Sequence, residues 1–596
     1  MELAALDLVI IILYFGMTIF LGLYFTRRAS KNMDAYFLGG RNMPWYVLSV
    51  SNASGMFDVS GTMWLVSVFF VYGLKGIWFP WLWPFFNQVF MMVYLSVWLR
   101  RSNVMTGAEW ITTRFGKGSG ARLSHLIVVA FALVSVMGFL GYAFVGIGKF
   151  VKVFLPWDLS ANTYAVIMMS FTGVYVILGG LFSVVATDVL QFIIMTITSF
   201  IIAGIAMNMV SPEMLQDAIP NGWGEPLFGW QLGLDWSGKM DIVNNRILAD
   251  GTTIFGAFVM MMLFKGVLIS AAGPIPSHDM QRILSNKTPR HAAMMSGLNS
   301  VILLVPRFLM VAALTVLALA FFSDELRGMG DDIDFELILP YTLNEFIPTG
   351  LKGMLIAGLL AAFMSTISSF MNVAPAYLVN DIYKRYINPD ASDRTYIRFS
   401  YLASVLVLLL GIGLGFLIPS VDSITQWIVT ALWAGYAVPN MLKWYWWRFN
   451  GYGFFWGMLA GLVSALLMPF LLPGWTPIYQ FPIILVITLS ASIGGSLLTP
   501  PEEDALLMQF YRQVRPWGFW GPVYEKVRQE DPGFRKNTSF GRDMFNVATG
   551  IVWQLGLIAL PILFVVQDQP RLWGALGIVL LCSYVLKKNW YDKLEN

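Results

Sequence analysis

Long apolar segments dominate this chain and constrain its fold more than any motif does. About fifteen of them approach the 20 residues that an α-helix needs to cross the hydrocarbon core of a bilayer. Only 12% of the 596 residues are charged, whereas soluble domains carry roughly 25%. We therefore predict an all-α polytopic membrane protein with about 15 transmembrane helices. The predicted spans are 5–26, 45–72, 78–99, 121–155, 161–178, 184–209, 251–275, 293–323, 348–380, 395–419, 423–442, 452–473, 480–500, 546–566 and 571–588.

The basic residues of the connections predict the orientation. Fifteen spans place the connections that carry Arg27 and Arg28, Arg100 and Arg101, and Lys384 and Arg385 on one side. That side is cytoplasmic by the positive-inside rule. We expect an integral protein of a bacterial cytoplasmic membrane with its N-terminus outside and its C-terminus inside. Residues 210–250 then form an extracytoplasmic loop, 501–545 a cytoplasmic connector, and 546–596 a C-terminal helical hairpin and tail.

Composition also argues against several classes of function. A formal charge of +3 provides no basic surface for nucleic acid, and a single cysteine, Cys582, excludes an internal disulfide framework. The three histidines lack the spacing of metal ligands, and no paired carboxylates share a helix face. We therefore expect a protein that is not an enzyme.

Two predicted spans depart from plain membrane helices. The first is small and polar from Ser49 to Gly61 and contains Asp58, whose charge needs a partner or a wet cavity at this depth. The second, 251–275, contains Lys265 near its centre and then Gly273-Pro274. Interrupted helices expose backbone groups to ions and substrate in transporters. Lying five spans apart, the two segments fit an inverted repeat of five plus five helices.

A carboxylate and a hydroxyl cluster supply oxygen ligands of the kind that a hard cation needs. Asp188 lies in an apolar span, and a later span carries Ser365-Thr366-Ile367-Ser368-Ser369. At 100° per residue Ser365, Ser368 and Ser369 share one face, and Thr366 is turned away. The alternatives are that the hydroxyls bond to the carbonyl one turn earlier and that Asp188 guides ions or caps a turn.

Residues 5–475 resemble the sodium/solute symporters, a family that includes the sodium/galactose, sodium/proline and sodium/sialic acid carriers. The resemblance is carried by Tyr36-Phe37-Leu38-Gly39-Gly40-Arg41, Gly179-Gly180-Leu181 with Thr187-Asp188, Gln281-Arg282, the stretch from Ala361 to Ser369, and Asp381-Ile382-Tyr383-Lys384. It implies the leucine-transporter fold. The first inverted repeat would then be 45–209 and the second 251–442, with an accessory first helix and linker in 1–44 and accessory helices in 443–500.

The same resemblance implies where sodium binds. One site would use the carbonyls of Val50, Ala53 and Ala362 and the hydroxyls of Ser365 and Thr366. In the sialic acid carriers the positions of Asp188, Ser365, Ser368 and Ser369 form an additional sodium site. All four residues are present here, so we favour two sodium ions over one.

The substrate is the least constrained part of the prediction. The stretch Asp58-Val59-Ser60-Gly61 resembles Asp-Met-Ser-Gly of the proline carriers, but Thr62 replaces their tryptophan. Lys265 either pairs with Asp58 or binds a substrate carboxylate, and the second case would favour an acidic or zwitterionic solute. Arg307 is expected to snorkel to the cytoplasmic surface. The candidate substrate-binding residues are Asp58, Ser60, Thr62, Trp64, Asn87, Gln88, Lys265, His278 and Gln426.

We expect a sodium-coupled secondary active symporter that imports a small organic solute by alternating access. Whether that solute is a sugar, an amino acid or a carboxylate stays open. The expected partners are the solute, sodium and the lipid bilayer, and no nucleic acid. The alternative is a transporter-like membrane sensor without an output domain of its own.

Overall fold

The regular structure is helical. The computed structural model describes residues 4–29, 31–83, 86–155, 157–274, 278–329 and 333–595, without the side chains of residues 26–29, 175, 178, 179, 278, 429 and 430. The first part contains α1 (Ala5–Ala29), α2 (Met33–Leu38), α3 (Trp45–Met56), α4 (Val59–Tyr72), α5 (Asn87–Phe90), α6 (Ser96–Arg101), α7 (Gly107–Phe115), α8 (Ser119–Phe154), α9 (Ala161–Met209), α10 (Pro212–Ala218) and α11 (Asp241–Ala249).

The second part continues with fifteen further helices. They are α12 (Phe255–Ala271), α13 (His278–Leu284), α14 (Pro289–Phe321), α15 (Ser323–Met329), α16 (Ile338–Phe346), α17 (Leu351–Ala376), α18 (Asp393–Gly415), α19 (Val421–Gln426), α20 (Trp433–Tyr445), α21 (Gly451–Leu471), α22 (Pro477–Leu497), α23 (Asp504–Val514), α24 (Gly521–Glu530), α25 (Phe540–Val566) and α26 (Gln569–Asn589). Short 3₁₀ or π segments join some of them, at Gly73–Leu82, Met91–Leu95, Tyr377–Ile387 and Trp427–Leu432.

Helix is present at all fifteen predicted spans, but its regularity differs among them. Eleven stretches of the described chain are long and apolar enough to cross a membrane, and Phe255–Ala271 is apolar but shorter. The predicted spans 78–99 and 423–442 contain 3₁₀ or π turns. Such turns mark local departures from the regular hydrogen-bond ladder.

The interruption predicted in span 45–72 separates α3 from α4. Phe57, at φ −90° and ψ 80°, leaves the helical conformation. The Asp58 side chain then caps α4 by accepting the Gly61 backbone N–H. Capping satisfies one of the free N–H groups that a helix start presents. The Asp58 carboxylate therefore caps the helix that follows the break, and it also lines a cavity.

A single glycine bends α9 where two spans were predicted. Gly180 has φ 51° and ψ −155°, and a Cβ atom there would lie 2.8 Å from the Tyr36 carbonyl oxygen. Only glycine tolerates this conformation and this approach. The predicted spans 161–178 and 184–209 are therefore the two arms of one bent helix.

Two polar segments pack onto the ends of core helices. In 210–250 the Trp223 and Trp236 indoles donate to the carbonyls of Phe70 and Val71, at 3.1 and 3.0 Å, at the end of α4. In 501–545 the Trp520 indole donates to the Trp444 carbonyl of α20 at 2.8 Å. The tryptophans of these two segments therefore bond to the ends of α4 and α20, and both helices line the cavity described below.

Candidate functional site

A cavity of about 180 Å³ lies beside the break between α3 and α4. Its walls come from nine of the described helices, namely α3, α4, α5, α8, α13, α14, α17, α20 and α25, and from the segments that join them. The lining residues are Gly55, Met56, Asp58, Trp64, Leu65, Pro80, Trp83, Asn87, Gln88, Phe139, Tyr142, Asp279, Asn299, Ser300, Leu303, Leu304, Arg307, Phe308, Thr366, Phe370, Trp433 and Gln554. Aromatic walls with a few polar groups are typical of small-molecule sites.

Asp58 is held in the cavity by three partners. The Tyr142 hydroxyl donates to Asp58 Oδ1 at 2.7 Å, and Arg307 Nη2 lies 3.5 Å from Asp58 Oδ2. The third partner is the Gly61 N–H. Arg307 also donates to the Met56 carbonyl at 2.9 Å, an acceptor that the end of α3 makes available. A guanidinium with several donors can join a carboxylate and a free carbonyl in this way.

The predicted ion pair between Asp58 and Lys265 is not formed. Lys265 is fully buried and its ammonium donates to the Leu82 carbonyl at 2.5 Å, outside the lining of the cavity. Arg307 takes its place at Asp58, so the expectation that Arg307 snorkels to the surface is wrong as well. Arg307 lies in the interior of α14, and its side chain is 14% exposed. The sequence shows both cations but not which of them faces α4.

The other predicted substrate residues divide into two groups. Trp64, Asn87 and Gln88 line the cavity with Asp58. The rest of the described candidates do not line it. Ser60 packs against Gly146, Thr62 donates to the Asp58 carbonyl at 2.6 Å, and Gln426 donates to Asp422 at 3.0 Å. The side chain of His278 lies outside the described residues.

Asp279, which the sequence analysis did not select, is a second carboxylate in the cavity. It accepts from Asn52 at 2.8 Å and from Gln88 at 3.2 Å, and it is 5% exposed. Its position one residue after His278, just beyond the Gly273-Pro274 interruption, was the available signal. Asn299, Ser300 and Gln554 are further polar lining residues that carried no motif.

The residues of the first predicted sodium site lie where α3 meets α17. The Thr366 hydroxyl donates to the Gly55 carbonyl of α3 at 3.2 Å and to the Ala362 carbonyl at 3.1 Å. Ala53, Ala362 and Ser365 are fully buried, and Val50 is partly exposed. The alternative for these hydroxyls was a bond to the carbonyl one turn earlier. Thr366 makes that bond, to Ala362, and also contacts Gly55 of another helix.

The residues of the second predicted sodium site surround a guanidinium. Arg282 Nη2 lies 2.9 Å from Asp188 Oδ2 and 2.8 Å from Ser369 Oγ. Ser51 and Ser365 donate to Asp188 at 2.5 and 2.7 Å. Ser368 instead donates to the Ser365 carbonyl at 2.9 Å. Thus Ser365 and Thr366 serve different helices, as their angular spacing predicts, and Arg282 contributes the positive charge beside Asp188.

Comparison with known proteins identifies the family of this chain. The sodium:solute symporter family matches residues 36–461, which is more than half of the chain. The bovine sodium/mannose cotransporter SLC5A10 is 27% identical over 84% of this chain and 88% of its own length. The zebrafish sodium/glucose cotransporter 4 is 25% identical, covering 89% and 83%.

A solved structure agrees with the fold. The outward-open structure of a Na⁺-coupled sialic acid symporter aligns with a TM-score of 0.65 at 16% identity, over 84% of this chain and 99% of the other. At that identity the likeness concerns the fold, and it confirms the predicted leucine-transporter fold. With the helices, the broken span and the family match together, the chain belongs to the sodium:solute symporter family.

Proposed function

We propose that this protein couples the uptake of a small, neutral, hydroxyl-rich solute to the entry of sodium by alternating access. The observation that carries the proposal is the position of Thr366. This residue lines the cavity and also hydrogen bonds to the Gly55 carbonyl at the end of the broken helix. A cation bound there would hold α3 against α17 beside the solute, so that occupation of one site affects the other.

The proposed first sodium site consists of the carbonyls of Val50, Ala53 and Ala362 with the hydroxyls of Ser365 and Thr366. Oxygen ligands of this kind suit a hard cation, and the contact between Thr366 and Gly55 supports their closeness. Each sodium ion that enters gains about 2.3 kcal/mol per 100 mV of membrane potential. That energy drives the uphill movement of the solute.

We also propose a second sodium site, which the protein can fill only after a change of structure. Its ligands would be Asp188, Ser365, Ser368 and Ser369. Arg282 lies within 2.9 Å of both Asp188 and Ser369. Because a cation next to this guanidinium would be repelled, sodium requires Arg282 to withdraw from Asp188. Ser368 must also turn from the Ser365 carbonyl. The second ion is therefore expected only in a conformation that separates α13 from α9.

The charges of the cavity favour a neutral solute over a carboxylate. Asp58 and Asp279 line it, and Arg307 is the cation among its described lining residues. Arg307 already pairs with Asp58, and Lys265, the residue that would have favoured an acidic solute, faces elsewhere. Side-chain amides and aromatic faces suit a compound with several hydroxyl groups. The sodium/sugar cotransporters among the relatives support the same class.

Uptake into proteoliposomes tests the proposal. The purified protein would be offered labelled D-glucose, myo-inositol, L-proline and lactate, with sodium or potassium outside. We expect uptake of glucose or inositol that needs sodium and increases with an inside-negative potential. Uptake of lactate or proline alone would contradict the solute class. A protein that moves none of the four with sodium would contradict symport and favour a sensor.

Thr366→Ala tests the first sodium site within the same assay. Removal of one ligand oxygen should raise the sodium concentration for half-maximal uptake about three- to tenfold, the effect of one lost hydrogen-bonding group. Thr488→Ala is a matched control, because Thr488 is also buried and, within the described part of the chain, its hydroxyl donates to the Ile484 carbonyl of its own helix. Equal sodium dependence in wild type and Thr366→Ala would remove Thr366 from the site.

A further inference from the structure

The C-terminal hairpin contributes a side chain to the solute cavity. Gln554 lies on α25, far beyond residue 461 where the family match ends, and it lines the cavity. Its side-chain nitrogen donates to Ser300 Oγ on α14 at 2.9 Å, and the residue is 2% exposed. The predicted C-terminal hairpin thus supplies a wall of the cavity.

Glycine allows this close approach. A Cβ atom at Gly550 would lie 2.5 Å from Val89 Cγ1, so α25 packs against α5 with no room for a side chain. Gln554 follows Gly550 by four residues and therefore shares its face of the helix. Asn87 and Gln88, which precede Val89 on α5, line the same cavity. The contact at Gly550 thus directs Gln554 towards the polar end of α5.

The polar atoms of Gln554 are only partly satisfied by protein. Its amide oxygen is buried and has no hydrogen-bond partner among the described residues. The side-chain oxygens of Asn87, Gln88 and Asn299, all lining the same cavity, are in the same condition. Buried amide oxygens normally have a donor. A solute with several hydroxyl groups could supply donors to this set.

We propose that Gln554 contacts the solute and contributes to its selection. This proposal rests on the proposed function, because it concerns the solute of the same cavity. The amide would accept from a solute hydroxyl while its nitrogen remains fixed by Ser300. A site built to hydrogen bond a hydroxyl discriminates strongly against an analogue that lacks it. The hairpin would then determine specificity in addition to packing against the core.

Cysteine labelling tests the place of Gln554 without knowledge of the solute. Cys582 is the single native cysteine, so a Cys582→Ala background permits Gln554→Cys to be labelled alone. Asn546→Cys is the matched control: Asn546 is a buried amide about two turns earlier on α25, bonds to Asn589 and does not line the cavity. We expect a methanethiosulfonate ammonium reagent to modify position 554 at least about tenfold faster than position 546. Equal rates would overturn the proposal.

Selectivity then tests the contact with solute. Gln554→Leu should raise KM for the transported solute about three- to tenfold. It should also change the ratio of kcat/KM between D-glucose and myo-inositol. Asn546→Leu should change neither quantity. Gln554→Asn should restore part of the selectivity. An unchanged ratio in Gln554→Leu would show that the amide only packs. A wild type that takes up none of the solutes contradicts the proposed function, while the labelling rates still decide whether Gln554 lines the cavity.

Discussion

Two aspartate–arginine pairs lie in the core of this protein, and their surroundings differ. Asp58 and Arg307 are 15% and 14% exposed and line the cavity beside the broken helix. Asp188 and Arg282 are both 0% exposed and are surrounded by serine hydroxyls. The first pair leaves room for a solute, whereas in the second the protein's own guanidinium occupies the space beside the carboxylate.

The difference follows from local backbone structure. Asp58 lies at the start of a helix after a break, where carbonyl and N–H groups are free to join the network. Asp188 lies inside the continuous second arm of α9, so its partners must be side chains from other helices. The partly exposed pair of Asp58 and Arg307 and the fully buried pair of Asp188 and Arg282 should therefore respond differently to the same substitutions.

The largest effect is expected at the fully buried pair of Asp188 and Arg282. Asp188→Asn or Arg282→Met leaves one buried charge without its counter-ion, a change that typically costs about 3–5 kcal/mol. The double variant should lose much less than the sum of the two. Thermal unfolding in detergent measures all three variants. Single variants as stable as wild type would mean that the pair is not formed in the folded protein.

At the cavity pair the effect on transport should exceed the effect on stability. Asp58→Asn and Arg307→Met remove charged hydrogen bonds, but water can reach the remaining partner, so the loss of stability should stay below about 3 kcal/mol. Uptake should fall about tenfold or more because the pair lines the cavity. Unfolding and uptake should be compared in the same preparations. A loss of stability as large as at Asp188 would erase the contrast between the pairs.

A smaller effect is expected from Gly61→Ala, which changes the cavity pair without removing a charge. A Cβ atom at Gly61 would lie 2.6 Å from Arg307 Nη2 and 2.8 Å from both Asp58 Oδ2 and the Tyr142 hydroxyl. The side-chain ends can shift, so folding should be retained while KM for the solute rises several-fold. Gly204→Ala, where a Cβ atom meets nothing within 4 Å, is the control. Equal KM values would show that the geometry of the pair is unimportant for the solute.

The smallest expected effect is the coupling between Asp58 and Lys265. Since Lys265 donates to Leu82 and Asp58 pairs with Arg307, the changes Asp58→Asn and Lys265→Met should be additive in stability within about 0.5 kcal/mol. A double-mutant cycle of unfolding measures this. A coupling well above that value would restore the pairing expected from the sequence and contradict the geometry.

Much of the fold was predictable because it depends on local sequence. Apolar length predicts the spans, and the small polar stretch around Asp58 predicts the break that separates α3 from α4. Angular spacing along one helix correctly separates Ser365, which faces Asp188, from Thr366, which faces Gly55. These features arise within a single helix, where distance along the chain and distance in space are proportional.

Only the tertiary structure decided which helices meet at the site. Arg307 reaches Asp58 from 249 residues along the chain, Arg282 reaches Asp188, and Gln554 reaches Ser300 from a hairpin beyond the family match. Helical periodicity shows which face a side chain occupies but not the neighbour that covers the face. That choice depends on close approaches such as the one at Gly550, where packing of whole helices determines the contact. The sequence by itself determined the charges and hydroxyls available to this protein, and packing determined their partners.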